Sequence, residues 1–150
     1  VLYLLQFTRP GRPLTFMGGE FGQPLAFDPY KEMDWACLGH PLHRNLDRYT
    51  AALGAVYSRH PALHRGGYRP VLQDEGKLAF GYLRETESEK LLCVFNLGGH
   101  FLDAPCDPGR PRRSSLLFAA GPLDGNALQW SGGRFVLHLP PMSGAIFALS

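Results

Sequence analysis

The sequence has few cysteines, and their positions exclude two classes of small domain. Three cysteines occur among the 150 residues, at positions 37, 93 and 106, and no two of them form a CxxC pair. Zinc knuckles need such pairs, and a disulfide framework needs an even set of cysteines. The sequence therefore predicts neither. Unpaired thiols are typical of a reducing compartment, so we expect a cytoplasmic protein.

The chain also lacks a long hydrophobic run and a broad basic face. No apolar run approaches the roughly 20 residues that span a bilayer, and the opening residues VLYLL have neither a basic segment before them nor a cleavage site. The net charge is +2, and Arg110, Arg112 and Arg113 form the only basic cluster. A nucleic-acid interface needs a wider basic surface with interleaved aromatics. We therefore expect no membrane or nucleic-acid partner, and we interpret the arginines as a solvated loop.

The composition is that of a globular protein with a hydrophobic core. Hydrophobic residues make up 45% of the chain and charged residues 19%, which is close to the average for soluble domains. The sequence begins at Val1, without methionine and already inside an apolar segment. We interpret the chain as a piece of a longer protein.

A glycine-rich stretch follows a short apolar segment near the start of the chain. Residues Leu14–Met17 are predicted to form a strand, and glycines at 18, 19 and 22 follow it directly. Glycine allows backbone conformations that other residues avoid, including a close approach to a ligand. Glu20 and Gln23 stand just past the carboxyl end of the strand, where α/β barrels carry their binding groups. This stretch is therefore a candidate binding loop.

Two helices are predicted in the first part of the chain. Val1–Thr8 reads as the end of a helix that stops at Pro10, and Pro41–Arg59 has the 3.6-residue period of an amphipathic helix, ended by Pro61. Its predicted buried face comprises Leu42, Leu46, Tyr49, Leu53, Val56 and Tyr57. Between the helices, residues 18–39 form a long loop with a turn predicted at 27–30, and a loop of this length is more often functional than idle.

After Gly66 and Gly67 the hydrophobic period changes from 3.6 to 2 residues. Eight strands are predicted, over residues 68–72, 78–85, 91–97, 100–104, 115–119, 127–130, 134–139 and 145–149. The pairs Gly98–Gly99 and Gly132–Gly133 predict hairpin turns. Short strands at this spacing are typical of an antiparallel β-sandwich.

The fold class is therefore α/β plus all-β, in two parts. Residues 1–65 hold a helix, a strand, a long loop and a helix, which cannot bury a core alone, and we interpret them as the last βα portion of a TIM barrel. Residues 66–150 are predicted to form the β-sandwich domain. This interpretation implies one partner, the barrel portion that would precede residue 1.

Four motifs stand out in the first part of the chain: Phe16–Gln23 (FMGGEFGQ), Met33–Trp35 (MDW), His40–Arg44 (HPLHR) before a helix, and His60–Leu63 (HPAL) after it. They resemble motifs of 1,4-alpha-glucan (glycogen) branching enzymes, in the alpha-amylase superfamily (glycoside hydrolase family 13). Residues 91–97 and 139–145 are similar to the central and closing strands of that superfamily's C-terminal domain. The resemblance covers nearly the whole chain and implies the seventh helix end, eighth strand and eighth helix of the barrel, followed by the C-terminal sandwich.

The resemblance implies a retaining double displacement on alpha-1,4-glucan, with transfer of the cut chain to a 6-hydroxyl and no cofactor. Such a reaction needs two carboxyl groups about 5 Å apart, which the family takes from an Arg-x-Asp segment and other barrel strands. No Arg-x-Asp occurs here, and none of the six histidines is followed by aspartate. We therefore expect no catalytic residue in this chain, and no activity from it alone.

Three residues remain as candidate substrate contacts. Glu20 and Gln23 could hydrogen-bond sugar hydroxyls, and Trp35 could stack on a pyranose ring. Each has a structural alternative: the Glu20 carboxylate could accept loop N–H groups, and Trp35 could be a packing anchor. Trp130, before a Gly-Gly turn, is a further candidate platform for sugar.

Histidine spacing gives no metal site. His40 and His43, or His60 and His64, are close in sequence, but prolines interrupt both stretches and no third ligand is evident nearby. No metal is predicted.

Two other functions stay open. The chain could come from an alpha-glucosidase, an amylase or a trehalose-forming relative, although the GGEFGQ segment favours branching. Residues 68–150 could instead be a non-catalytic module that binds glucan.

Overall fold

The computed structural model describes residues 1–26 and 28–150, so that Phe27, in the predicted turn, lies outside the described residues. Three α-helices precede the sheets: α1 (Leu2–Thr8), α2 (Pro41–Arg59) and α3 (Pro61–Arg65). Short 3₁₀ turns occupy Gly19–Phe21, Trp35–Gly39 and Gly125–Ala127. Of the described helices, none combines the length and apolarity that a membrane crossing requires.

Helix α2 has the predicted bounds. Pro41 is its first residue, and the ring nitrogen Nδ1 of His40 accepts a 3.3 Å hydrogen bond from the Leu42 amide, which caps the helix. The predicted buried face is wrong at its amino-terminal end, because Leu42 is 72% exposed and only Leu53 of the predicted set is fully buried. The two 3₁₀ turns at 19–21 and 35–39 contact this part of the helix through His43 and Arg44, but they leave the Leu42 side chain largely exposed.

The proline at 61 both ends α2 and begins α3. Proline fits the first turn of a helix, where its missing N–H would have no helical partner. The first free amide of α3, that of Ala62, donates to Glu89 Oε2 at 2.9 Å. The other carboxylate oxygen of Glu89 lies 2.5 Å from His60 Nδ1. A carboxylate from the turn at residues 86–89 therefore caps the short helix.

All eight predicted strands are present, with shifted ends. They are β1 (Gly67–Asp74), β2 (Ala79–Glu85), β3 (Lys90–Asn96), β4 (Leu102–Cys106), β5 (Ser114–Ala120), β6 (Leu128–Ser131), β7 (Arg134–Leu139) and β8 (Ser143–Leu149). They form a five-stranded sheet in the order β1-β2-β3-β8-β5 and a three-stranded sheet in the order β4-β7-β6. Every pairing is antiparallel.

One of the two predicted hairpin turns forms. Gly132 and Gly133 have φ of 58° and 81° and connect β6 to β7 in a two-residue turn, which favours glycine because both central residues have positive φ. The prediction at Gly98–Gly99 is wrong, because β3 and β4 lie in different sheets. Gly98 instead allows the backbone at Lys77 to approach closely, because a Cβ at position 98 would lie 2.5 Å from the Lys77 carbonyl oxygen.

The buried Asn96 holds the crossing between the two sheets. Its side-chain Nδ2 lies 2.8 to 3.0 Å from the carbonyl oxygens of His100, Leu139 and Pro140, and its Oδ1 accepts the Gly98 amide at 3.0 Å. The side chain is 1% exposed. A buried amide with several partners fixes the connection far more firmly than a glycine pair alone would.

The molecule has three layers, because both faces of the five-stranded sheet are covered. One face packs on the three-stranded sheet, and that core includes Leu83, Leu92, Val94, Leu137, Leu139 and Phe147. The other face packs on the helices, with Leu4, Leu53 and Leu63 against Leu91, Phe95 and Ile146. Strands buried on both faces lose the simple alternation of a half-exposed strand, which fits the continuous burial of β3 and β8.

The strand predicted at Leu14–Met17 does not form. Residues 12–16 join no sheet, and the side chains of Leu14 and Phe16 are 73% and 60% exposed. A strand needs a neighbour to satisfy its backbone groups, and the described residues provide none beside this segment. The side-chain amide of Gln6 in α1 donates to the Leu14 carbonyl.

Candidate functional site

The glycine-rich turn, residues 17–23, forms a tight loop at the side of α2. Met17, Gly18 and Gly22 have φ of 40°, 82° and 70°, so the backbone reverses through conformations that favour glycine. The Gly18 carbonyl accepts the Gln23 amide at 3.0 Å, which closes the loop on itself. The turn presents Glu20 at its centre and Gln23 at its end.

Three consecutive carbonyl oxygens of this turn are each held by a side chain from a helix. The Tyr3 hydroxyl of α1 donates to the Gly19 oxygen. From α2, the Thr50 hydroxyl lies 2.9 Å from both the Glu20 oxygen and the Asp47 oxygen of its own helix and shares its one proton between them. His43 Nδ1 lies 2.9 Å from the Phe21 oxygen. A carbonyl can only accept, so His43 carries its proton on Nδ1. These contacts were not predicted, since residues 3, 43 and 50 are distant in sequence from the turn.

Gln23 has its side-chain amide engaged within the loop. Its Oε1 accepts the Asp34 amide at 2.9 Å, and its Nε2 donates to the Leu25 carbonyl at 3.3 Å. A Cβ at position 18 would lie 2.9 Å from the Gln23 Cβ, so glycine there permits the contact. The structure therefore gives Gln23 the role of a tie between the turn and the MDW segment.

Glu20 differs from Gln23 because its carboxylate is free. Its main-chain oxygen is held by Thr50, and its side chain is half-buried. Within residues 1–26 and 28–150, no hydrogen bond or ion pair engages the carboxylate oxygens, and the alternative in which they accept loop N–H groups is not seen. The carboxylate is available to a ligand.

Trp35 is both packed and exposed. One face contacts the Phe21 ring, with centroids 5.3 Å apart at 33°, while 49% of the residue is open to solvent. The 3₁₀ turn that begins with Trp35 is anchored by Arg44, which donates to the carbonyls of Leu38 (3.2 Å) and Gly39 (2.9 Å). The indole is thus fixed on one side and free on the other.

A groove of about 430 Å³ runs along the loop, but only one predicted contact residue lines it. Its walls include Met17, Gln23, Leu25, Lys31 and Met33. Glu20 and Trp35 lie outside this lining. The structure therefore does not gather the three sequence-predicted residues into one pocket.

The histidines considered as metal ligands have other partners. His40 caps α2, His43 holds the Phe21 carbonyl, and His60 pairs with Glu89. Within the described part of the chain, no three His, Cys, Asp or Glu side chains are grouped as a metal site.

The pKa values of two buried cysteines and of the half-buried Tyr49 are strongly raised. The three cysteines are free. Burial raises the pKa of the Cys93 and Cys106 thiols to about 12 each. Burial also raises the pKa of Tyr49 to about 12, and its hydroxyl has no hydrogen-bond partner among the described residues. These thiols are therefore packing groups.

At the far end of the sandwich, the structure brings together two features that the sequence kept apart. Residues 110–113 and the half-exposed Trp130 line the same cavity, of about 530 Å³. The Trp130 ring stands edge-on to Phe135, with centroids 4.9 Å apart. This site is separate from the glycine-rich turn.

Comparison with solved structures identifies the class of protein. The chain superposes on the Nostoc punctiforme debranching enzyme with a TM-score of 0.73 and 25% identity, covering 97% of this chain and 29% of that one. It superposes on an alpha-amylase from H. orenii with a TM-score of 0.69 over 98% of this chain and 34% of that one, where 13% identity shows the fold alone. The fold is that of a part of alpha-amylase family enzymes.

The sequence comparisons are more specific. The chain is 34% identical to the 1,4-alpha-glucan branching enzyme of Nitratidesulfovibrio vulgaris (strain DP4), over 99% of this chain and 27% of that enzyme. It is 30% identical to the branching enzyme of Aquifex aeolicus (strain VF5), over 95% of this chain and 26% of that enzyme. No family model matches. The chain is therefore related to the 1,4-alpha-glucan branching enzymes, as the motifs predicted, and spans about a quarter of their length.

Proposed function

We propose that this chain is the C-terminal portion of a 1,4-alpha-glucan branching enzyme, which cuts alpha-1,4-glucan and transfers the chain to a 6-hydroxyl in glycogen biosynthesis. The observation that carries the proposal is 34% identity to such an enzyme over 99% of this chain. The free thiols are consistent with a cytoplasmic location, where thiols stay reduced.

Within that enzyme, residues 1–65 would be the end of the (β/α)₈ barrel and residues 66–150 the C-terminal sandwich. The exposed apolar side chains support this division. Of the thirteen large hydrophobic residues that are exposed in the described chain, eight lie before residue 43. Leu2, Leu14, Phe16 and Leu42 are each at least 60% exposed, and burying them against a barrel would remove that apolar surface from water.

The proposed chemistry is a retaining double displacement. An aspartate attacks the anomeric carbon and a glutamic acid protonates the leaving oxygen, with the two carboxyl groups about 5 Å apart. We assign neither group to this chain, which has no Arg-x-Asp or His-Asp pair. Its proposed part is substrate contact: the free Glu20 carboxylate bonds sugar hydroxyls, the open face of Trp35 stacks on a ring, and Gln23 supports both by tying the loop.

The first experiment tests whether the chemistry resides elsewhere. The purified 150-residue chain is incubated with amylose, and the iodine colour is followed. We expect no change, and a gain of branching when the chain is co-produced with the preceding barrel portion of a related branching enzyme. Measurable branching by the chain alone would contradict the proposal.

The second experiment tests the substrate contacts by affinity electrophoresis in gels containing amylose. We expect Trp35→Ala to abolish the retardation of the chain and Glu20→Gln to reduce it. Phe101→Ala is the matched control, since Phe101 is 72% exposed on the sandwich. Far-UV circular dichroism checks that each variant is folded. Equal retardation of all variants would show that neither Glu20 nor Trp35 contacts glucan.

A second candidate is a hydrolytic member of the same superfamily, such as an amylase or alpha-glucosidase. The similarity to a debranching enzyme, with a TM-score of 0.73, favours it. Product analysis of the full-length enzyme separates the two, because branching creates alpha-1,6 linkages and hydrolysis creates reducing ends. Retardation of residues 68–150 alone would instead support a glucan-binding module.

A further inference from the structure

A cavity opens at one end of the β-sandwich, away from the glycine-rich turn. One wall is the arginine segment, residues 110–113, and the other includes Leu128, Trp130 and Phe135 from β6 and β7. Its volume is about 530 Å³, within the range of small-molecule sites. Polar and aromatic side chains therefore face the same space.

The backbone under the arginine segment is firmly held. The amides of Arg112 and Arg113 donate to the Ser150 carbonyl at 2.6 and 2.9 Å, and the Ser150 amide donates to the Arg113 carbonyl at 3.0 Å. These bonds continue the pairing of β5 with β8, in which Ser114 is opposite Leu149. The guanidinium groups therefore extend from a sheet-like base, and replacing them leaves that base unchanged.

The positive charge of this segment is not neutralised by the protein. Arg110, Arg112 and Arg113 are exposed, and in the part of the chain that the structure describes none of them forms an ion pair with a carboxylate. The carboxylate of the nearby Asp107 accepts the Gly109 amide instead. Guanidinium groups match the oxygens of a phosphate in a two-point contact, so a phosphate is the anion that this wall fits.

The opposite wall has a half-exposed aromatic ring. Trp130 is 57% exposed, while its contact with the buried Phe135 (4.9 Å, 75°) fixes its position. The turn residues at 132 and 133 are glycines and add no side chain at the tip of the hairpin. A large apolar ring with a free face accepts a flat or ring-shaped apolar surface, such as the face of a pyranose.

We propose that this cavity binds a glucose unit that carries a phosphate ester. The arginine segment holds the phosphate, and Trp130 stacks on the sugar ring. The ligand is either a free sugar phosphate or a phosphorylated unit within a glucan, since both present the same chemistry. Binding at this cavity would be a function beyond glycosyl transfer. It does not depend on the proposed substrate contacts, because the cavity shares no residue with the glycine-rich turn.

The test is titration calorimetry of the 150-residue chain with glucose 6-phosphate. We expect Arg112→Gln/Arg113→Gln to weaken binding about tenfold or more, because both charge-assisted contacts are lost. Trp130→Leu should weaken it as well, and Trp130→Tyr should restore it. Arg59→Gln and Phe101→Ala, on exposed side chains outside the cavity, should bind as the parent does.

Four further ligands give the remaining outcomes. Weaker binding of inorganic phosphate and of maltotriose than of glucose 6-phosphate supports the proposal, because each lacks one half of the ligand. Comparison with phosphorylated maltodextrin then identifies the source: tighter binding indicates a glucan, and weaker binding a free sugar phosphate. The proposal is overturned by no binding at millimolar concentration, by equal binding of inorganic phosphate, or by preference for a single-stranded oligonucleotide.

Discussion

The hydroxyl groups of Thr8 and Tyr82 lie 2.7 Å apart and join the end of α1 to the middle of β2. Thr8 is fully buried and also lies 2.8 Å from the Leu4 carbonyl, to which its single proton is donated. Tyr82 is therefore the donor in the pair. Burial raises the pKa of Tyr82 well above its usual value, so the phenol stays protonated and able to donate.

The direction of this hydrogen bond predicts unequal effects of two substitutions. Tyr82→Phe removes the donor and leaves Thr8 bonded to Leu4, so we expect a loss of about 1 kcal/mol in the free energy of unfolding. Thr8→Val leaves the Tyr82 hydroxyl buried without an acceptor, at a cost of about 2–3 kcal/mol. Urea denaturation measures both. Equal losses would show that the bond runs in the other direction.

Arg84 links the same two layers and should be among the most sensitive positions. It is 2% exposed, and its two terminal nitrogens donate to the carbonyls of Thr8 and Gly66 at 3.0 Å each. Arg84→Met leaves both carbonyls without a donor, so we expect a loss of about 3 kcal/mol. The control is Arg69→Met, at a half-exposed ion pair with Glu85, where less than about 1 kcal/mol should be lost. Similar losses at the two sites would contradict this account.

The carbonyl contacts of the glycine-rich turn give a prediction at the candidate site. Thr50→Val removes the hydroxyl that holds the Glu20 oxygen, whereas Thr50→Ser keeps it. We expect Thr50→Val to cost about 1 kcal/mol and to speed amide hydrogen exchange at Gly22 and Gln23. Thr50→Ser should exchange as the parent does. Unchanged exchange in Thr50→Val would mean that Tyr3 and His43 hold the turn without Thr50.

Stability should fall on the alkaline side. The pKa values of Cys93, Cys106 and Tyr49 are raised to about 12 in the folded protein, whereas unfolded cysteine and tyrosine ionise near 8.5 and 10. Between the unfolded and the folded pKa of each group, the unfolded state binds fewer protons than the folded state, so the free energy of unfolding decreases as pH rises. Each group contributes at most about 1.4 kcal/mol per pH unit.

Urea titrations from pH 8 to pH 11 measure this loss. Tyr49→Phe should keep the stability at pH 8, because the Tyr49 hydroxyl has no hydrogen-bond partner in the described chain, and should flatten the alkaline decline. Tyr30→Phe, at a residue that is 95% exposed, serves as the control and should follow the parent. A flat profile in the parent would mean that these groups ionise alike in both states.

The sequence predicted those elements whose signals are local. The bounds of α2 follow from prolines at 41 and 61 and the period between them, and the β6–β7 hairpin follows from two glycines with positive φ. All eight strands were found for the same reason. The strand at 14–17 failed because an apolar tetrapeptide becomes a strand only beside a neighbour, which its own sequence does not specify.

The candidate site was predicted in part. The glycine-rich turn was recognised from its composition, whereas Trp35 was proposed after the motif resemblance, and the sugar contacts of Glu20 and Trp35 stay predictions. The side chains that hold the turn were missed, because Tyr3, His43 and Thr50 reach it from two helices through tertiary contacts. The pairing of the arginine segment with Trp130 was missed for the same reason, since it depends on how the two sheets meet.

The order of strands in the larger sheet has a consequence for synthesis on the ribosome. Strand β8, which is made after the seven other strands in the described part of the chain, lies between β3 and β5. Until residues 143–149 emerge, β3 and β5 each have an unpaired edge, and such edges promote aggregation. Closing the sheet then joins segments far apart in the chain, which slows folding. The nascent chain should therefore need chaperone protection until the seven residues of β8 are released.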